Sequence, residues 1–230
     1  MIRVLRRTLN LPLLCLLFAT AACNFYFISY NGAGLFFDAA QVEPALRKLI
    51  ESKVLPAGGR ALVPGCGRGY AVAALASDGR EAIGIEIAPT AVKVANDFLS
   101  KECSLAPERA RCIEGDFFGD AMKTELEGLF DVVYDCTFLC AIGPAQREAW
   151  ASKMAEVVKP GGELVIDIFP IGNHTTGPPF AMSEQLVRRL LEPVGFECIM
   201  MEPVDPADYA RGKAMSAKES IARWRRKAAE

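Results

Sequence analysis

Histidine is almost missing from this chain: His174 is the only one in 230 residues. Tryptophan occurs only as Trp150 and Trp224. Neither sign of charge is in excess, with 26 Lys and Arg against 28 Asp and Glu. There is no internal repeat and no low-complexity tract. Each shortage removes a class of function. The cysteines are Cys15, Cys23, Cys66, Cys103, Cys112, Cys136, Cys140 and Cys198. Only Cys136 and Cys140 are spaced like half a zinc site, and no second cysteine or histidine pair completes it, so no metal centre is expected. A net charge of −2 leaves no electrostatic footprint for nucleic acid. The length suits one α/β domain with core enough to fold without staples. The cysteines therefore read as free thiols of a reducing, cytoplasmic compartment, and a monomer is expected.

Acids are also missing from the N-terminus, where none precedes Asp38. Arg3, Arg6 and Arg7 lead into an apolar run from Leu11 to Ala22. Ala19-Thr20-Ala21 has the small-x-small form of a cleavage site, and Thr20-Ala21-Ala22-Cys23 loosely resembles the end of a bacterial lipoprotein signal. Residues 1–23 are read as a signal or anchor segment ahead of a domain over residues 24–230. Extended to Ile28 the run has 18 residues, marginal for a membrane span, and Asn10, Pro12 and Asn24 weaken it. The competing reading is an atypical N-terminal helix of a soluble protein. Membrane contact is expected only through this segment.

What is present in full is a nucleoside-binding βαβ signature. The short strand Ala61–Val63 runs into Gly65-Cys66-Gly67-Arg68-Gly69, and a helix opens near Tyr70. A second strand, Ala82–Ile85, ends on Glu86. Glycines let the backbone turn sharply and lie against a ligand, the helix N-terminus faces it, and the acid holds ribose hydroxyls. A dinucleotide site wants a small residue in the sixth position; here it is Tyr70, which is too large. The tight Gly65-x-Gly67-x-Gly69 form suits S-adenosylmethionine, which has no phosphates. The competing reading is a tight turn in an α/β protein with no ligand.

The rest of the chain alternates. Helices are expected over Gln41–Ser52, Tyr70–Ser77, Pro89–Lys101, Pro144–Val158 and Met182–Leu191. Strands are expected at Arg111–Ile113, Phe130–Tyr134, Glu163–Phe169, Cys198–Met201 and Glu219–Arg225. This predicts an α/β fold with a doubly wound, mainly parallel seven-stranded sheet whose ligands sit at the carboxyl ends of the strands. The loops there hold Gly65, Gly67 and Gly69; Glu86; Asp116 and Phe117; Asp135, Cys136 and Thr137; and His174. Asp116 can accept from an adenine amine beside the Phe117 ring; alone, it would read as an N-cap or surface acid. His174 is a weak candidate for acid–base work on the substrate side. Trp150 reads as core. The run Arg223-Trp224-Arg225-Arg226-Lys227 reads as a solvated strand edge.

With these residues placed, the chain resembles the thiopurine S-methyltransferase family, and within it the halide and thiol methyltransferases. The likeness covers roughly Tyr26 to Lys227. It is carried by Ala61-Leu-Val-Pro-Gly-Cys-Gly-Arg-Gly-Tyr70, by Phe130-Asp-Val-Val-Tyr-Asp-Cys-Thr-Phe-Leu-Cys-Ala-Ile142, by Trp150 through Gly162, and by Phe169-Pro-Ile171 with Gly177-Pro-Pro-Phe180. The resemblance implies a class I, Rossmann-like methyltransferase that contacts S-adenosylmethionine at Gly65, Gly67, Glu86, Asp116, Phe117, Asp135 and Cys136. The family often has Tyr or Arg where this chain has Cys136. It also tends to close over the cofactor with N-terminal tryptophans; Tyr26, Tyr30 and Phe37 stand in those places. An aromatic face beside a sulfonium contributes about 0.5–2 kcal/mol.

The implied reaction is in-line displacement at a methyl carbon, with a small thiol, sulfide or halide ion as acceptor. A sulfonium leaves without help from an acid, so alignment and exclusion of water are the protein's tasks. The thin supply of acids and bases fits acceptors that need no general base. Two alternatives stay open: a methyltransferase for a larger thiol, a thiopurine-like heterocycle or an O/N nucleophile, and a non-catalytic cofactor-binding relative.

Overall fold

Apolar strands long enough to be buried on both faces need helices on both sides, and the chain supplies them in alternation. The computed structural model describes residues 39–119, 129–210 and 217–228. The strands are β1 (Arg60–Pro64), β2 (Glu81–Glu86), β3 (Ala110–Glu114), β4 (Phe130–Cys136), β5 (Val158–Ile171), β6 (Phe196–Pro203) and β7 (Lys218–Arg226). The helices are α1 (Pro44–Glu51), α2 (Tyr70–Ser77), α3 (Pro89–Asp97), α4 (Phe138–Ala141), α5 (Arg147–Val157) and α6 (Glu184–Leu191). The strands form one seven-stranded sheet in the order β3-β2-β1-β4-β5-β7-β6. β1 to β5 pair in parallel; β7 runs antiparallel to both β5 and β6. The doubly wound sheet expected from the alternation is the one observed.

Each face of the sheet has its own core. On one side Leu62, Ile83, Val133, Leu164 and Ile166 pack with Trp150 and Met154 of α5 and Val187 and Leu191 of α6. On the other, Ala61, Val63, Tyr134 and Val165 pack with Leu46 of α1, Leu75 of α2 and Ala95 of α3. The chain winds outward from β1 to β3, then returns to place β4 on the other side of β1. The crevice at that reversal, above the carboxyl ends of β1 and β4, is where such sheets bind ligands.

Several elements depart from their expected limits for visible reasons. The helix expected to open at Met182 starts at Glu184, because Ser183 caps it, its Oγ accepting from the Leu186 N–H at 3.1 Å. The helix expected over Pro144–Val158 begins as a 3-10 turn, Pro144–Gln146, before α5. The expected Pro89–Lys101 helix widens after Asp97 into a π-type turn, Phe98–Glu102. β5 already begins at Val158 and carries Pro160-Gly161-Gly162 as an irregularity opposite Phe130 and Val132.

One reading is corrected. The basic run at Arg223–Lys227 is not a solvated sheet edge, because β7 lies between β5 and β6. Trp224 is fully buried, Arg223 pairs with Glu163, and Arg226 donates to the carbonyls of Ala155, Val194 and Gly195.

Candidate active site

The site begins where β1 stops. Gly65 and Gly67 have φ of +60° and +52°, a conformation that costs an L side chain about 1–2 kcal/mol. Their surroundings differ. A Cβ on Gly65 would lie 2.7 Å from Cδ2 of Phe138, so the backbone there is pressed against the loop after β4. Among the described residues, a Cβ on Gly67 would meet nothing within 4 Å. The loop is thus braced from the β4 side at Gly65 and open at Gly67, as a cradle must be.

Glu86, at the end of β2, ties this loop to the next. Its Oε2 accepts from the Gly67 N–H at 3.2 Å and its Oε1 from the Ala88 N–H at 3.1 Å. Burial raises its pKa, opposed by those backbone hydrogen bonds. Each carboxylate oxygen still has acceptor capacity for a hydroxyl. Beneath the loop, the Cys66 and Cys112 sulfurs lie 3.5 Å apart, in space that Gly84 leaves by having no side chain. Their hydrogen bond, together with burial, pushes the Cys66 thiol well up.

The third loop holds an exposed Asp116, whose Oδ1 accepts from the Phe118 N–H at 2.9 Å, and a buried Phe117. The Phe117 ring is edge-on to Phe118 at 5.5 Å and to Phe138 at 5.4 Å, so the third and fourth loops share one aromatic cluster.

In the fourth loop, Asp135 points inward. It is 1% exposed; Oδ2 accepts from Trp150 Nε1 at 2.8 Å, and Oδ1 from the N–H groups of Phe138 and Leu139 at 3.2 and 3.1 Å. Burial pushes its pKa up to about 6 against those three hydrogen bonds. Its carboxylate shapes the loop from within. Cys136 is half-buried, and its Sγ lies 3.5 Å from Oδ2 of Asp167. Asp167, on β5, was not among the residues singled out from the sequence. The signal was there: one acid in the apolar run Leu164–Phe169.

His174 is exposed, in the loop after β5. Its Nε2 is 3.0 Å from the Pro179 carbonyl, which requires the proton on Nε2. The loop's base is closed by pairing of Ile171 with Met182, and the Phe180 N–H donates to the Cys140 carbonyl at 2.7 Å. His174, Pro170, Ile171 and Pro178 border a cavity of about 520 Å³. Tyr26, Tyr30 and Phe37, like residues 1–23, lie outside the described residues. The six described cysteines are free thiols. Among the described residues no three metal-binding side chains cluster, and no helix is long and apolar enough to cross a membrane.

Comparison with known proteins agrees with this geometry. The sequence pattern of the family described as thiopurine S-methyltransferase matches residues 29–227. A probable thiol methyltransferase 2 of Arabidopsis thaliana is 36% identical over 200 residues, covering 86% of this chain and 83% of that protein. Thiocyanate methyltransferase 1 of the same plant is 36% identical over 190 residues, covering 83% and 79%. In fold, the chain is similar to Burkholderia thailandensis 1,6-didemethyltoxoflavin-N1-methyltransferase, solved with S-adenosylhomocysteine (TM-score 0.68, 19% identity, 97% and 94% covered). Sheet order and glycine cradle are those of the class I, Rossmann-like S-adenosylmethionine-dependent methyltransferase fold. The chain belongs to the thiopurine S-methyltransferase family, and S-adenosylmethionine is its cofactor. The open cradle at Gly67 and the Glu86 carboxylate beside it fit a nucleoside with an amino-acid tail.

Proposed function

We propose that this protein methylates the sulfur of a small thiol or sulfide, or a halide ion, by in-line displacement. S-adenosylmethionine, when bound, supplies a methyl group already activated on a sulfonium. The chain's residues bind and align. Gly65 and Gly67 offer backbone beneath the ligand, Glu86 accepts from ribose hydroxyls, and Asp116 accepts from the adenine amine beside Phe117. Asp135 holds the fourth loop through Trp150 and the N–H groups of Phe138 and Leu139. Cys136 faces the acceptor side; a cover for the sulfonium by Tyr26, Tyr30 and Phe37, which lie outside the described residues, is what the family resemblance implies. Alignment of this kind supplies on the order of 7–11 kcal/mol of barrier lowering.

The observation that carries this reading is the Gly67–Glu86 hydrogen bond across an open cradle at the sheet's reversal point. Its support on the acceptor side is the likeness to plant proteins named for thiol and thiocyanate. Titration calorimetry with S-adenosylmethionine is expected to show binding. Incubation with bisulfide or iodide is expected to release methanethiol or methyl iodide; no product from any thiol or halide would sink the reading. The match to the thiopurine S-methyltransferase family over residues 29–227 favours a second reading, a larger thiol or thiopurine-like heterocycle, and a panel of acceptors separates the two.

A further inference from the structure

We infer that Phe138 is a positioning residue for the methyl donor: its ring is the wedge between the glycine loop and the loop that carries Asp116 and Phe117, and Trp150 holds that ring in place through Asp135. The inference rests on the donor site described above and adds to it a residue that need not touch the donor. β1 pairs with β2 through five residues, as far as Pro64, but with β4 only at Ala61 and Leu62. Past Leu62 the two strands at the reversal point part, and the glycine loop rises beside the opening. On its β2 side the loop is held by hydrogen bonds, from the Cys66 N–H to the Ile85 carbonyl at 3.1 Å and from the Gly67 N–H to Glu86. On its β4 side stands Phe138. The three atoms nearest to a Cβ on Gly65 all belong to Phe138, at 2.7, 3.5 and 3.6 Å. The same ring meets Phe117 edge-on at 5.4 Å and stacks on Phe118 at 6.1 Å. One half-buried side chain of the fourth loop thus packs against both the first and the third.

The backbone that presents this ring is itself unusual. Phe138 opens the four-residue α4, and Thr137 before it has a φ of +64°, a conformation uncommon for a residue with a side chain. Such a turn persists where its surroundings over-determine it. The Asp135 carboxylate does so here. Its Oδ1 takes the N–H groups of Phe138 and Leu139, and its Oδ2 takes the indole N–H of Trp150, which is fully buried in α5. The contacts therefore run from the core through Asp135 to Phe138, and from Phe138 to the glycine loop. A donor that lays its amino-acid end over the glycines and its adenine beside Phe117 requires those two loops at one separation. A ring wedged between them sets that separation before the donor arrives, which lowers the ordering cost of binding.

Calorimetry with S-adenosylhomocysteine tests this, at a temperature where melting curves show each variant folded. Phe138→Ala is expected to weaken binding about 10-fold or more. Phe138→Leu, which fills part of the gap, is expected to fall between it and the wild type. Trp150→Phe keeps a ring in the core and removes one hydrogen bond to the carboxylate; it is expected to weaken binding about 10-fold. Because Trp150 acts through Phe138, the variant carrying both Trp150→Phe and Phe138→Ala is expected to bind within about 2-fold of Phe138→Ala alone, whereas independent effects would multiply to about 100-fold. A Trp150 that merely stabilised the core would move the melting temperature and leave the affinity of the folded protein alone. Wild-type affinity in any single variant, or multiplied losses in the double variant, overturns the inference. If one variant does not fold, the others decide by the same rule. If the wild type itself does not bind S-adenosylhomocysteine, the donor site described above falls as well; a wild type that binds, beside a Phe138→Ala that binds equally, removes this inference alone.

Discussion

At the scale of single residues, the cradle can be tested by changes of one or two atoms. Gly67 has left-handed backbone and, among the described residues, open space where a side chain would go. Gly67→Ala is therefore expected to lower stability by only about 1–2 kcal/mol, while its methyl group stands where the donor must lie. Donor affinity is expected to fall at least about 10-fold, read by calorimetry, as is that of Glu86→Gln, which loses charged acceptors for ribose. An alanine variant that binds the donor normally would place the ligand elsewhere. Gly84 is the reverse case. A Cβ there would lie 2.5 Å from the Cys66 sulfur and 2.8 Å from that of Cys112, with no flexible side chain to yield. Gly84→Ala is expected to cost about 1–3 kcal/mol through overpacking and to lower the melting temperature by roughly 2–12 °C. No shift would mean that the two thiols are not packed as described.

At the scale of elements, the loop after β4 is held by a group that the protein buries at a cost. The unfolded carboxyl of Asp135 ionises near 3.8 and the folded one near 6, because burial disfavours its charge. A raised carboxyl stabilises the fold in its protonated form. That contribution is complete below pH 3.8 and is lost as pH rises through about 6. Its full size is about 3 kcal/mol, of which about 2 kcal/mol falls between pH 4.5 and 7.5. Asp135→Asn does not titrate. The unfolding free energy of the wild type minus that of the variant, from urea titrations, is expected to decrease by about that much between those two pH values; a constant difference would refute the buried charge. The element scale also shows what could be read from sequence. Gly65, Gly67 and Glu86 were legible because strand, turn and acid lie within one short stretch, and local order is enough to bring them together. Asp167 was not, because its meaning comes from standing level with Cys136 on a neighbouring strand. Asp135 was visible as a loop acid, but its inward direction depends on Trp150, a helix away. The short helix α4 went unseen, since its four residues, Phe138–Ala141, are too few to show a period. The basic run was misread because β7 crosses back to insert between β5 and β6, and chain order alone puts a last strand at an edge.

For the molecule as a whole, that inserted strand is what joins the parallel half of the sheet to its antiparallel end, and one ion cluster fastens it. Glu163 on β5 is 3% exposed. It accepts from Arg223 of β7 at 2.9 Å through Nε and at 3.0 Å through Nη2, with Arg225 at 3.5 Å. The same Arg223 donates to the Val54 carbonyl at 2.6 Å, so the cluster also ties the sheet to the segment after α1. Removing one partner leaves a guanidinium largely out of water and facing a neutral amide. Glu163→Gln is expected to cost about 3 kcal/mol or more, a fall in melting temperature of roughly 6–12 °C, because breaking a buried pair exposes its desolvation cost. The control is Asp97, which bridges Lys101 and Lys93 on the surface and is held down to about 2 by them. Solvent screens these surface pairs, whose lysines are largely exposed, so Asp97→Asn is expected to leave the melting temperature nearly unchanged. Salt separates the two further: 0.5 M sodium chloride, with a screening length of about 4 Å, is expected to remove whatever effect the Asp97 change has and to leave that of Glu163 in place. Equal sensitivity of both sites to substitution and to salt would show that β7 is held by its apolar faces alone.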